Sequence, residues 1–470
     1  MTDRLLHPTR RRLLAAGAAG LVLPGAARAQ SLLAPQPTAP AAAPAAPAAA
    51  GAGTGSAVID VDRARASPIP IAIPSFPGDA QLGQNIAGVI TNDLANCGLF
   101  RPISPAAFIN AGATGAVPDF QNWKAIGAQA LVTGQAATLG GGQIQVQFRL
   151  WDVLPQTQIQ GTAYTTAASN WRRVGHMIAD VIYERLLGEG GYFDTRIVYV
   201  AGSGPRNNRI MRLAIMDQDS ENNRFLTDGR YLALTPRFHP KLDEIAFMSY
   251  VNDRPRVYLF NLGTGRQRVL GDFQGITLSP RFSPDGSTVI MAQTTPSGGS
   301  RIVTVALNGS ASHALTDGSA IDVSPCYSPD GTQIVFNSDR GGDQQLYVMA
   351  ANGSGVKRIS FGGARYGDPV WSPRGDLIAF TRIGGSTFGI GVMHPDGSGE
   401  RILSESYFCE GPTFAPNGRV IMFWKQTPAR NASGAGYSTH LYSVDITGFN
   451  ERAVVTPTDG SDPAWSPLGG

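Results

Sequence analysis

The sequence predicts an N-terminal α/β domain followed by an all-β six-bladed β-propeller, closed by pairing of the C-terminal strand with the first blade. Three observations predict it. A Pro-x-aromatic-x-Pro segment recurs through the C-terminal half of the chain. A group of short β-type runs follows each copy except the last. The last copy stands alone, while the first strand group of the domain lacks such a copy in front of it.

The fullest copies are Pro280-Arg-Phe282-Ser-Pro284-Asp285-Gly286 and Pro325-Cys-Tyr327-Ser-Pro329-Asp330-Gly331. Pro369-Val-Trp371-Ser-Pro373-Arg-Gly375 and Pro412-Thr-Phe414-Ala-Pro416-Asn417-Gly418 follow. Pro236-Arg-Phe238-His-Pro240 precedes them, and Pro463-Ala-Trp465-Ser-Pro467 ends the series. Their first prolines lie 44, 45, 44, 43 and 51 residues apart, a period that belongs to a repeat array. After each glycine comes an apolar run, such as Val289-Ile290-Met291 or Ile334-Val335-Phe336. A second run, an Asn-Gly or Asp-Gly turn and a short basic strand then follow. Proline presets the second turn position and glycine takes the left-handed exit. One repeat is therefore a four-stranded meander, which buries both faces only when stacked radially as a propeller blade. Arg196–Val200, Arg212–Met216 and Arg224–Thr227 read as strands two to four of a blade whose first strand is Pro463–Pro467. That closure gives six blades and removes exposed edges.

The N-terminal stretches have other textures. Residues 1–29 read as an export signal: Arg10-Arg11-Arg12 before an apolar run, then Ala27-Arg28-Ala29 with cleavage between Ala29 and Gln30. The route is either twin-arginine or general secretion. The leader takes with it Arg4, Arg10, Arg11, Arg12, Arg28 and Asp3, which turns the whole-chain charge of +3 into −1. The remaining chain has no basic excess to favour nucleic acid or acidic membranes. Residues 30–56 are nearly all Ala, Pro, Gly, Ser and Thr and read as a linker. No later run reaches membrane-spanning length.

Residues 57–190 read as a small α/β domain, with the propeller over 191–470. Ile69–Ile73 is a short strand, Leu82–Leu94 has helical spacing, and Gln129–Thr133 is a buried strand. Gln143–Leu150 alternates as a half-exposed strand, and Thr157–Thr166 pairs with it. A helix runs from Asn170, as N-cap, to Leu187, with Gly188 as its stop.

The residues that could carry chemistry are sparse. Cys97, Cys326 and Cys409 are odd in number and far apart, which predicts no disulfide framework. His176, His239, His313, His394 and His440 show no metal-ligand spacing, so no metal site is expected. No G-x-S-x-G elbow and no phosphate loop occurs. Asp322, Asp368, Glu410 and Asp462 each precede a blade's first proline. They would ring one mouth of the central channel, either as a rim that binds a partner's loop or as solvated turn residues.

The chain resembles the TolB family, the periplasmic propellers of the Tol–Pal system. The resemblance covers about residues 57–470. It rests on Ala179-Asp-x-Ile-Tyr-Glu184 with Gly188, Thr195-Arg-Ile-Val-Tyr-Val200, and the terminal Pro463-Ala-Trp-Ser-Pro467. It implies a periplasmic adaptor without enzymatic activity or cofactor, supporting outer-membrane integrity and cell division. It implies that a Pal-like peptidoglycan-associated lipoprotein binds the loops before each blade. Those loops hold Ile276, Thr277, Ile321, Asp322, Val323, Ser324, Arg365, Tyr366, Asp368, Tyr407 and Glu410. It also implies that a TolA-like inner-membrane protein binds the strap over 57–67 through Val58, Ile59 and Val61. Two other readings stay open: a peptidase-like enzyme filtered by its propeller, and a propeller that binds carbohydrate or metal. The first needs a hydrolase domain larger than residues 57–190 offer.

Overall fold

Among the described residues, Asp79 starts the first helix. Its side chain accepts the N–H of Leu82 at 3.1 Å, which satisfies one of the free donors at the helix start. The helix, α1 (Ala80–Asn96), buries Leu82, Ile86, Ile90 and Leu94 along one face. It follows strand β1 (Ile69–Ala72) and leads into β2 (Phe100–Pro102). A short helix α2 (Phe120–Ala125) precedes β3 (Ala130–Leu139), β4 (Gln143–Asp152) and β5 (Thr157–Ala167). The sheet order is β2-β1-β3-β4-β5, parallel around β1 and antiparallel from β3 onward. Helix α1 and the final helix α3 (Trp171–Leu187) share a core with Val132, Val146, Phe148 and Leu150. The opposite sheet face, with Leu131 and Trp151, packs against Phe120 and Trp123 of α2.

The structure is a computed structural model that describes residues 67–109, 117–205, 208–310, 312–431 and 434–469. The export signal with Ala29 and Gln30, the linker, and Val58, Ile59 and Val61 of the strap lie outside the described residues. Asn170 does precede α3, but it does not cap it. Its Nδ2 donates to Thr166 Oγ1 at 3.0 Å, because the residue sits in a single 3-10 turn instead of extended backbone. Gly188 ends the helix as expected, with φ of 73° and its N–H on Glu184 O at 2.8 Å.

Among the described residues, the rest of the chain forms six four-stranded antiparallel sheets. Their first strands are Asp459–Trp465, Ala233–Phe238, Thr277–Phe282, Asp322–Tyr327, Arg365–Trp371 and Cys409–Phe414. Each packs beside the first strand of the next blade, and the ring closes on itself. Radial stacking explains the unbroken apolar runs. In Val289-Ile290-Met291-Ala292, all fully buried, Val289 and Met291 enter the core shared with the preceding blade. Ile290 and Ala292 enter the core shared with the following one.

The Ser-Pro-Asp-Gly turns behave as their composition dictates. Gly286 has φ of 81°, and its N–H bonds Ser283 O at 2.9 Å. The Ser283 hydroxyl donates to Asp285 at 2.6 Å and holds that carboxyl down at about 2. The ring is clasped by its two ends: Asp459–Trp465 pairs antiparallel with Arg196–Ser203, Trp465 opposite Ile197. Trp465 donates through Nε1 to Thr195 Oγ1 at 2.8 Å and meets Tyr192 edge-on at 5.7 Å. Cys97, Cys326 and Cys409 are all free and buried.

Candidate functional site: the open mouth of the propeller

The two faces of the propeller are not equivalent. The turns that join first to second strands meet the α/β domain. Arg374 Nη2 bonds Glu189 at 3.1 Å and Asn417 Nδ2 donates to Gly190 O at 2.9 Å, while from a turn between third and fourth strands Asn450 Nδ2 donates to Asn96 O at 2.9 Å. The other face is built by the loops that lead into each first strand. The candidate site lies there.

Each of those strands carries the same backbone device. The residue before its first proline takes a left-handed φ: Thr235 47°, Ser279 51°, Ser324 52°, Asp368 47°, Gly411 68° and Asp462 49°. Non-glycine residues seldom adopt this conformation, and it is costlier before proline. In all six first strands the pairing register shifts here, as at a β-bulge. Neighbouring positions of the set touch across the wall, where Ser324 Oγ donates to Asp368 Oδ1 at 3.2 Å. These six residues form the throat of the channel.

One level deeper, the variable residue of five of the six Pro-x-aromatic segments reaches the channel, Val370 being buried in the core between blades instead. Arg237, Arg281, Cys326, Thr413 and Ala464 line a cavity of about 220 Å³ that continues to Pro240, Pro284, Pro329 and Pro373. Arg237 and Arg281 come from neighbouring blades and face carboxylates. Burial, then the Arg281 charge, lowers the Arg237 guanidinium to about 9, against the pull of Asp462 and Asp368. Burial raises Asp462 to about 6, while Arg237 pulls it down. Asp368 is also raised by burial, and Glu410 by burial and by the Asp368 and Asp462 charges. Three acids thus outnumber two cations in a confined space, and a cationic group from outside would relieve them.

The expected acidic rim is only partly formed. Asp368 and Asp462 occupy equivalent positions, but Asp322 stands two residues earlier in its strand and Glu410 one residue earlier. Asp322 is fully buried and gripped by Arg340 Nη2 at 2.9 Å through both carboxylate oxygens. It cannot face a partner. Thr277 and Tyr366 are also buried, the latter bonded through its hydroxyl to Glu400 at 2.9 Å. Ile276, Val323, Ser324, Arg365, Asp368 and Glu410 are half-buried at the mouth, and Ile321 and Tyr407 are exposed, by 41% and 63%.

Sequence reasoning missed the throat arginines and much of the apolar rim. Leu232, Phe361 and Val455 stand exposed in three other lead-in loops, Phe361 by 64%. The variable position of the repeat could have revealed Arg237 and Arg281, since alternation from the buried aromatic points it inward.

A second cluster joins the α/β domain to the first blade. His176 Nδ1 lies 2.7 Å from Asp93 Oδ2, and Gln218 Nε2 donates to Asp93 Oδ1 at 2.7 Å. His176 Nε2 faces Asp217 at 4.0 Å. Asp93, His176 and Asp219 converge closely enough to surround a metal ion. Arg172 bonds Asp219 and lies 3.4 Å from Asp217, so the chain supplies its own cation there. Burial raises Asp93 to about 6. Burial works against the His176 charge too, but the Asp93 hydrogen bond and the nearby carboxylates outweigh it and hold its pKa above the ordinary value.

Comparison with known proteins gives a consistent picture. Residues 183–469 match the family model described as the TolB beta propeller domain, and residues 57–159 match the TolB amino-terminal domain. The chain is 55% identical over 401 residues to the Tol-Pal system protein TolB of Gluconobacter oxydans (strain 621H), covering 85% of this chain and 86% of that protein. It is 54% identical over 403 residues to the protein of the same name in Paramagnetospirillum magneticum (strain ATCC 700264 / AMB-1), covering 85% and 90%. The crystal structure of TolB from Acinetobacter baumannii superposes with a TM-score of 0.74 at 28% identity, over 85% of this chain and 97% of that one.

Proposed function

Because the chain belongs to the TolB family of Tol–Pal system proteins, a family of non-enzymatic envelope proteins, we propose that it is a periplasmic adaptor with two partners. A Pal-like peptidoglycan-associated lipoprotein docks on the open mouth of the propeller. A TolA-like inner-membrane protein takes the strap over 57–67. The adaptor so links the two membranes and supports outer-membrane integrity and cell division.

The observation that carries the mouth assignment is its composition. Apolar side chains from the lead-in loops surround a throat with surplus carboxylates, on the face that the α/β domain leaves uncovered. Buried apolar contact supplies affinity and the throat charges supply register. Among the described residues no helix is long and apolar enough to cross a membrane, which fits an adaptor held by its partners. If the two partners favour different arrangements of strap and propeller, each alters the affinity for the other by the same factor.

The test is titration of the exported protein with the lipid-free domain of the lipoprotein from the same cell. Ile321→Glu and Glu410→Lys are each expected to weaken binding about tenfold or more with the fold intact. Unchanged affinity in both variants would move the partner site away from this face. Removal of residues 57–67 is expected to abolish capture of the inner-membrane partner.

A further inference from the structure

One blade departs from the others. Second and third strands elsewhere are six to eight residues long, as in Gln333–Ser338 and Glu244–Val251. In the sixth blade they are Val420–Asn431 and Gly434–Asp445, 12 residues each and paired along their whole length. At about 3.3 Å per residue, the extra four or more residues carry this hairpin roughly 13 Å beyond its neighbours. Second strands run away from the α/β domain, so the extension rises beside the open mouth.

Its foot is anchored to the lead-in loop of the same blade. Gln426 N–H donates to Phe408 O at 3.0 Å, and Phe408 packs between Phe388 at 4.5 Å and Trp424 at 5.1 Å. Above this support Tyr437 of the hairpin stacks on Tyr407 of the loop, with ring centroids 5.7 Å apart and planes within 9°. The pair is not covered: Tyr407 is 63% exposed and Tyr437 45%. Three residues after Tyr407, Glu410 enters the acidic side of the throat, opposite Trp424 in the sheet.

We infer that the raised hairpin is one wall of the partner site, and that its stacked tyrosines receive an arginine-bearing loop of the mouth-bound protein, the guanidinium beside the ring faces and an adjoining apolar side chain against the rim. This rests on the reading of the mouth as the lipoprotein site. Two observations favour that occupant. The tyrosine pair continues the exposed apolar rim of Ile321 and Phe361, and it adjoins carboxylates in surplus over the throat cations. Flat aromatic faces beside negative charge suit a guanidinium better than a compact ammonium or a purely apolar group.

The test uses the whole exported protein and the lipid-free lipoprotein domain of the same cell in calorimetric titrations. Tyr437→Ala is expected to weaken binding about tenfold, Tyr437→Phe to stay within about twofold, and both to leave the melting temperature unchanged. Backbone amides of residues 420–445 are expected to gain hydrogen-exchange protection on binding, a readout that needs no variant. Affinity is expected to fall between about 50 and 300 mM NaCl, less steeply in Glu410→Gln. Wild-type affinity in Tyr437→Ala, or no protection of the hairpin, overturns the inference while loss of binding in Ile321→Glu keeps the mouth reading. Salt-independent affinity overturns the cationic occupant. Full binding by Ile321→Glu and Tyr437→Ala alike brings down both readings.

Discussion

At the scale of single residues, close approach overrides propensity. Gly83 sits inside α1, where alanine is favoured by ~1 kcal/mol. A Cβ there would lie 1.8 Å from Phe76 O, so Gly83→Ala is expected to destabilise by ~1–3 kcal/mol in urea unfolding. Asp462 shows the opposite conflict. Its carboxyl is raised to about 6 from an ordinary 3.8, so the folded state bears a cost that is absent below both values, grows between about pH 4 and 6 and is complete above about 6. Asn suits its left-handed φ of 49° and carries no charge. Asp462→Asn is expected to be more stable than wild type by ~1–2 kcal/mol at pH 8 and equal to it at pH ~3. Measured melting temperatures at the two pH values decide it; an equal gap at both would refute the electrostatic account. The contact at Gly83 was not legible in the sequence, and of Asp462 only its place at the mouth was, not its buried setting. Helical spacing says nothing of the neighbour that touches Gly83, and the acid before a proline reads equally well as a solvated turn.

Elements were easier to read than the contacts between them. Helix α1, strands β4 and β5 and the blade strands follow from periodicity and turn residues, because those signals are local. The interdomain cluster is not local. Asp93, His176 and Asp217 come from three elements and meet only once the fold exists. His176 has a native pKa above its ordinary value, so its stabilising share is complete below about 6.5 and is lost as pH rises through the native pKa. The rise of Asp93 to about 6 acts in the same direction between about pH 4 and 6. Wild-type melting temperature is therefore expected to fall from pH 5 to pH 8, and His176→Gln to flatten that slope. A steeper slope in the variant would contradict the assignment. The clasp strand makes a larger prediction. Trp465→Ala removes the bond to Thr195 and the edge contact with Tyr192, and is expected to cost ~3–5 kcal/mol by chemical denaturation.

For the whole molecule, the six-blade ring was legible because proline and glycine mark every turn and the isolated last copy fits the blade that lacks a first strand. The mouth was legible as a place and not as a list. Lead-in loops could be located, yet Asp322 turned inward to Arg340 while Phe361 and Val455 stood out, since side-chain direction there is set by contacts distant in sequence and not by a local pattern. A variant in Glu410 alone tests charge; one in Ile321 tests apolar contact; comparison of the two separates register from affinity at the same site.

The clasp also has a consequence in time. Because Asp459–Trp465 is the first strand of the blade that begins at Arg196, the ring spans nearly the whole propeller sequence. A chain emerging from a ribosome or a translocation pore can assemble its middle blades early. The blade at Arg196 must wait, with one edge unpaired, until the last strand arrives. Completion of the propeller thus waits on its last strand, and an unfinished molecule keeps an open sheet edge that chaperones or proteases can recognise.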